Sequence, residues 1–154
     1  MIQQLIETWQ IHNRINLYLL DSIEEDSTLL NTASSKGRNI GEQFAHIHNV
    51  RLMWFRESAP ELLDSLVKIE KDEALTVESL KYNLVASGKA VESLLEKGFK
   101  ENRIKGFKPH PIAYLGYLVS HESHHRGQII LSLKQSNKPV SRKTGFGMWE
   151  WGTR

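Results

Sequence analysis

The chain of 154 residues contains no cysteine. Disulfides, thiolate metal sites and a cysteine nucleophile are therefore excluded, and any metal must be held by nitrogen and oxygen donors. Neither sign of charge dominates: 20 Lys and Arg face 18 Asp and Glu, a net charge of +2. Apart from the scattered Lys134, Lys138, Arg142 and Lys143 of the tail, the chain lacks the basic stripe that a nucleic-acid binder carries. No apolar run approaches the ~20 residues of a membrane span, and the polar, amphipathic N-terminus lacks a signal-peptide core. A cytoplasmic protein with no nucleic-acid or membrane partner is the expectation. Internal repeats, low-complexity segments and alternating strand patterns are also absent. The length suits one domain, residues 1–154, with a substantial core.

What the sequence does have is helical periodicity. Ile2, Leu5, Ile6, Trp9, Ile15, Leu19, Leu20 and Ile23 recur at helical spacing and predict a helix over 2–25. After the polar linker NTASSKGRN at 31–39, Asn39 and Glu42 form a capping-box pattern opening a second helix, which stops near Pro60. Residues 61–70 read as a short helix or turn. A third helix is expected over about 73–97, with Thr76 and Ser79 offering other starts and Gly98 a C-terminal cap. A fourth runs from about 111 to 136. Four long amphipathic helices indicate an all-α helical bundle. The segment 137–154, containing GFGMWEWG, reads as irregular and aromatic-rich, with Trp149 and Trp151 folding back to seal the core.

Seven histidines are many for this length, and three fall within HESHHRGQ at 121–128. On a helix, His121 and His125 are one turn apart and can bite one divalent ion. His124 lies about 100° round from His125 and points largely away. The apolar stripe Ile112, Leu115, Val119, Ile129 and Leu133 places Glu122 inward. A buried carboxylate needs a partner, a histidine N–H, an arginine or water; Arg51 on the second helix is favoured for that pair over binding an acidic group of the substrate. Gly127 is read as room for the close approach of another helix. The string also matches the H-E-x-x-H of zinc proteases, but no histidine follows His125. A third ligand must come from upstream: His12, His46, His48 or His110. His46 and His48 flank the Phe44–Ile47–Trp54 stripe on opposite sides, and helical spacing alone does not choose between them. Three histidines on two helices leave an open coordination position, as catalytic zinc sites do. Nickel and iron also accept imidazole.

The helix opening NIGEQFAHIHNVRLMW, the later HESHHRGQ and the trailing GFGMWEW together resemble the DinB-like family over most of the chain. The resemblance implies an up-down-down-up four-helix bundle with long crossovers. It implies a divalent metal held by His121, His125 and, favoured over His48, His46. Some members of the family look like metal-dependent thiol S-transferases that use low-molecular-weight thiols. Others resemble hydrolases or isomerases of small molecules, and relatives are often dimeric.

The expected function is thus a divalent-metal protein, with Zn²⁺ or Ni²⁺ foremost, acting on a small-molecule substrate as a thiol S-transferase or hydrolase. The alternatives are a metal-containing binding or stress-response protein without catalysis, and a helical oligomer whose histidines are incidental. A homodimer is the expected assembly. With no cysteine in the chain, the thiol of a transferase must come from a cofactor. Glu122 is expected to orient a ligand histidine through its second nitrogen, to shuttle a proton, or to form a purely structural ion pair. His12, near Trp9, either borders the site or is satisfied in the core. Tyr18, Tyr114 and Tyr117 stand near a helical pocket without a pattern that singles one out.

Overall fold

A computed structural model describes residues 1–34 and 36–154. The long helices are α1 (Ile2–Asp21), α2 (Ile40–Ser58), α3 (Val77–Glu101) and α4 (Pro111–Gln135), followed by a short α5 (Arg142–Gly147). Among the described residues there is no β-strand, only an isolated bridge between Ile104 and Phe107.

The ends of these helices follow local chemistry. Asn39 Oδ1 accepts from the Glu42 amide at 2.8 Å, and Glu42 returns the bond to the Asn39 amide at 2.9 Å. This is the reciprocal cap expected at the start of α2. Helix α3 starts later than 73, because Thr76 caps it through the Ser79 amide. It also runs past Gly98. Asn102, at φ 52°, supplies the left-handed cap, while Gly98 sits inside the last turn, where a Cβ would collide with Ile104. Gly98 is therefore a packing glycine and not the stop. His110, a ligand candidate in the sequence, caps α4 by accepting from the Ala113 amide at 3.2 Å, with Pro111 at the first helical position. Helix α1 ends at Asp21, and 3₁₀ turns at Asp26–Leu30 and Pro60–Leu63 lie in the crossovers.

Cross-helix contacts fix the directions. Trp9 bonds the Gly88 carbonyl while Asp21 pairs with Lys81, so α1 and α3 are antiparallel. Arg51 reaches Leu84 and Ser87, and Gly41 lies against Leu75 ahead of α3, so α2 and α3 run together. Gln43 meets His125 and Trp54 meets Tyr114, so α4 opposes α2. The bundle is up-down-down-up. Helices α1 and α2 each pack on α3 and α4, and so occupy diagonal corners.

The core is split along its length. One apolar cluster gathers Ile15, Leu19, Phe44, Ile47, Leu84, Ile129 and Leu133. The other gathers Ile6, Trp9, Leu52, Phe55, Val91, Tyr114 and Leu118. Between them every long helix contributes buried polar residues at one level: His12 and Asn16, His48 and Arg51, Ser87, and Glu122 and His125. The apolar clusters supply the burial energy, about 2 kcal/mol for each large side chain removed from water. The middle layer carries the chemistry.

Three further readings are corrected. Ile112 is half-exposed, outside the inward stripe. Gly127 is exposed, and a Cβ there would meet nothing. The tail docks without its tryptophans: Trp149 is 80% exposed, while Met148 enters the core. Gly147 abuts Tyr18, and the Arg154 guanidinium lies 4.0 Å from the Tyr18 ring centre. A Cβ on Gly147 would collide with Tyr18, so the tail approaches α1 through a residue without a side chain.

Candidate metal centre

His46, from the middle of α2, meets His121 and His125 of the antiparallel α4. One ring nitrogen from each lies within 4.8 Å of the others. The Nε2 atoms of His121 and His125 are 3.2 Å apart. Two imidazole nitrogens on one tetrahedral zinc, at ~2.05 Å each, would be about 3.3 Å apart. The helical turn between the two residues sets that spacing.

His125 is oriented from outside the cluster. Its Nδ1–H donates to Gln43 Oε1 at 2.6 Å, which leaves the Nε2 lone pair directed at the other two histidines. Burial, chiefly, with the neighbouring His46 and His121 and the Arg38 charge added, brings the His125 pKa down to about 4. Burial, then Arg38 and His121, brings His46 to about 4 as well. His121 is lowered by burial in spite of the opposing Glu122 charge. All three rings are therefore neutral at neutral pH, the form that ligates. Three neutral imidazoles with converging nitrogens fit a divalent ion of the zinc or nickel type.

The two histidines of AHIH point different ways: His46 joins the cluster with His121 and His125. His48 points to the opposite flank of α2, where its Nε2 donates to the Val67 carbonyl at 2.8 Å, and it pins the α2–α3 crossover. His124 is exposed and bonds Gln128. His12 is fully buried in the polar layer and does not join the cluster.

Glu122 takes no part in supporting a ligand imidazole. Arg51 grips it with two bonds, Nε to Oε1 at 2.7 Å and Nη2 to Oε2 at 2.8 Å. Oε2 also accepts from His12 Nε2 at 2.8 Å and Asn16 Nδ2 at 2.7 Å. Arg126 donates to His12 Nδ1 at 3.2 Å, which fixes the neutral tautomer that donates to Glu122. The remaining Arg51 hydrogens go to the Leu84 carbonyl, Ser87 and Asn13, so all five are used. Burial alone would raise the Glu122 pKa. The Arg51 pair and the His12 bond outweigh burial and hold it well below the usual carboxylate range. The support expected of Glu122 is supplied by Gln43, one turn before His46, which sequence reasoning did not single out. Asn13, Asn16 and Arg126 were likewise missed, and only their spacing of one helical turn from Trp9, His12 and Glu122 hinted at them.

The model of the DinB family matches residues 1–140. The chain belongs to the DinB family. No curated protein and no solved structure gives a match. The match covers all four long helices, and so includes every histidine of the cluster. As a DinB-family protein the chain is a helical protein whose histidine triad can hold a metal ion. Among the described residues no helix is long and apolar enough to cross a membrane.

Proposed function

We propose that this protein binds one divalent metal ion through His46, His121 and His125 and acts on a small-molecule substrate as a metal-dependent enzyme, of the thiol S-transferase or hydrolase type. The observation that carries this reading is the convergence of three neutral imidazole nitrogens within 4.8 Å, on two helices whose register is fixed elsewhere. Three protein ligands leave a coordination position for a substrate, which favours chemistry over metal storage. A bound divalent ion would supply Lewis-acid chemistry, lowering the pKa of a water or thiol at that position. The chain supplies the rest. Gln43 holds His125 in the ligating tautomer. The α4 turn sets the His121–His125 spacing. Glu122, with its lone pairs engaged, serves as a positioning residue that locks the rotation of α4.

The test is metal analysis of protein purified without a histidine tag, alongside His125→Ala with its helicity checked by circular dichroism. Stoichiometric zinc or nickel in the wild type, lost in the folded variant, is expected. Equal metal content in the two would contradict the site. A screen of low-molecular-weight thiols against electrophilic acceptors then separates the chemistries. Turnover that requires a thiol supports transfer, and turnover of ester or amide substrates without one supports hydrolysis.

A further inference from the structure

We propose that the cleft beside His46 receives a small-molecule oxyanion, a carboxylate or phosphate group, gripped by Arg38. The inference rests on the metal reading above and adds the class of molecule that enters. The cleft, of about 710 Å³, has His46 and Arg38 on its walls. One wall is the α2 face. The other is the α2–α3 crossover, clamped to α2 by Asn49, whose side chain donates to the Ile69 carbonyl at 2.8 Å and accepts from the Ile69 amide at 3.0 Å. That clamp brings Lys68, Glu70 and Lys71 to the same cleft as Arg38, with Glu42 also on the wall.

The charges do not cancel there. The Glu42 carboxylate is used by its cap on the Asn39 amide, and Glu70 pairs with Lys68 at 2.9 Å. Among the described residues, neither Arg38 nor Lys71 has an ion-pair partner. Arg38 also shares the cleft with His46, one member of the triad. A guanidinium within electrostatic reach of a divalent ion is repelled by it, unless an anion lies between. An oxyanion in the cleft would convert that repulsion into a bridge, and the guanidinium fork matches the geometry of a carboxylate or phosphate.

The test is calorimetric titration of succinate and of methylphosphonate into zinc-loaded and metal-free protein, for the wild type, Arg38→Gln and Lys71→Gln. Arg38 is exposed, so its substitution leaves folding intact. Loss of one charged hydrogen-bond partner is expected to weaken anion binding about tenfold or more in Arg38→Gln, with a smaller loss in Lys71→Gln and unchanged zinc stoichiometry. The preferred anion tells carboxylate from phosphate substrates. Unchanged affinity in Arg38→Gln, or no binding of either anion by the wild type at millimolar concentration, would overturn the proposal. Zinc stoichiometry separates the two readings. If the wild type takes up no zinc but Arg38→Gln still weakens anion binding, the triad reading fails and the oxyanion cleft stands. If zinc binds and Arg38→Gln changes nothing, the triad stands and the cleft fails.

Discussion

Glu122 and His125 lie one turn apart on α4, both in the polar layer, and their surroundings differ in kind. Around Glu122, three donor residues from two other helices converge on one carboxylate, and the arginine that grips it has all five hydrogens placed. Around His125, one nitrogen is fixed by Gln43 while the other faces the His121 imidazole, with the His46 ring packed beside it. Among the described residues, His121 Nδ1 is buried without a partner. The first arrangement is saturated and has nothing to offer a ligand. The second is unsaturated and aimed. A buried ion pair adds little over an apolar pair of equal shape but fixes one arrangement, since breaking it is costly. The saturated hub thus sets the register of four helices, and the triad beside it inherits its geometry.

The largest expected effect lies in the hub. Arg51→Ala leaves the Glu122 charge buried without its main partner and is expected to cost about 3–5 kcal/mol in urea unfolding. The double variant Arg51→Met with Glu122→Leu should recover much of that loss. By contrast, His125→Ala should cost the metal-free protein about 1 kcal/mol while abolishing metal uptake. If His125→Ala proved as destabilising as Arg51→Ala, the division between hub and triad would collapse.

Acid titration of the metal-free protein separates the two regions along the pH axis. The folded pKa values of His12, His46, His48, His121 and His125 lie below the ordinary histidine value, with His46 and His125 at about 4. The unfolded chain therefore binds more protons as pH falls below about 6.5, and stability declines from there. Glu122 is depressed in the folded state. Its contribution is fully present above the unfolded carboxylate value of about 4.3 and is lost at lower pH. Replacing His46 and His125 with Gln should flatten the decline between pH 6.5 and 4 and leave the lower one in place. An unaltered upper slope would show that the buried His12 and His48, and not the triad, govern it.

Smaller effects sharpen the boundary of the triad. Gln43→Leu keeps the volume but removes the acceptor for His125 Nδ1–H, and metal affinity is expected to fall about 10–100-fold, as read by competition with a chelating dye. His124→Ala, on the exposed side of the same helix, should leave metal content unchanged and stability within about 0.5 kcal/mol.

Much of this fold was legible in the sequence. The capping box at Asn39 and Glu42 and the stripes of α1 to α4 mark the bundle, because each signal is local and repeats every turn. The inward Glu122 and its Arg51 partner were also legible, since a charge inside a stripe requires a countercharge. The choice between His46 and His48 was not, because both flank one stripe and only the placement of α4 and the α2–α3 crossover separates them. Gln43 escaped for the same reason, as its role exists only across the helix interface. Gly98 and Trp149 misled for a different reason. A glycine near a helix end and an aromatic tail each have two physical uses, and tertiary packing decides which applies.

The most direct test of the account is the metal stoichiometry of His46→Ala and His48→Ala, purified side by side without tags and confirmed to be folded. Loss of metal in His46→Ala with full retention in His48→Ala is the predicted result. Retention in His46→Ala, or loss in His48→Ala alone, would contradict the assignment of the triad.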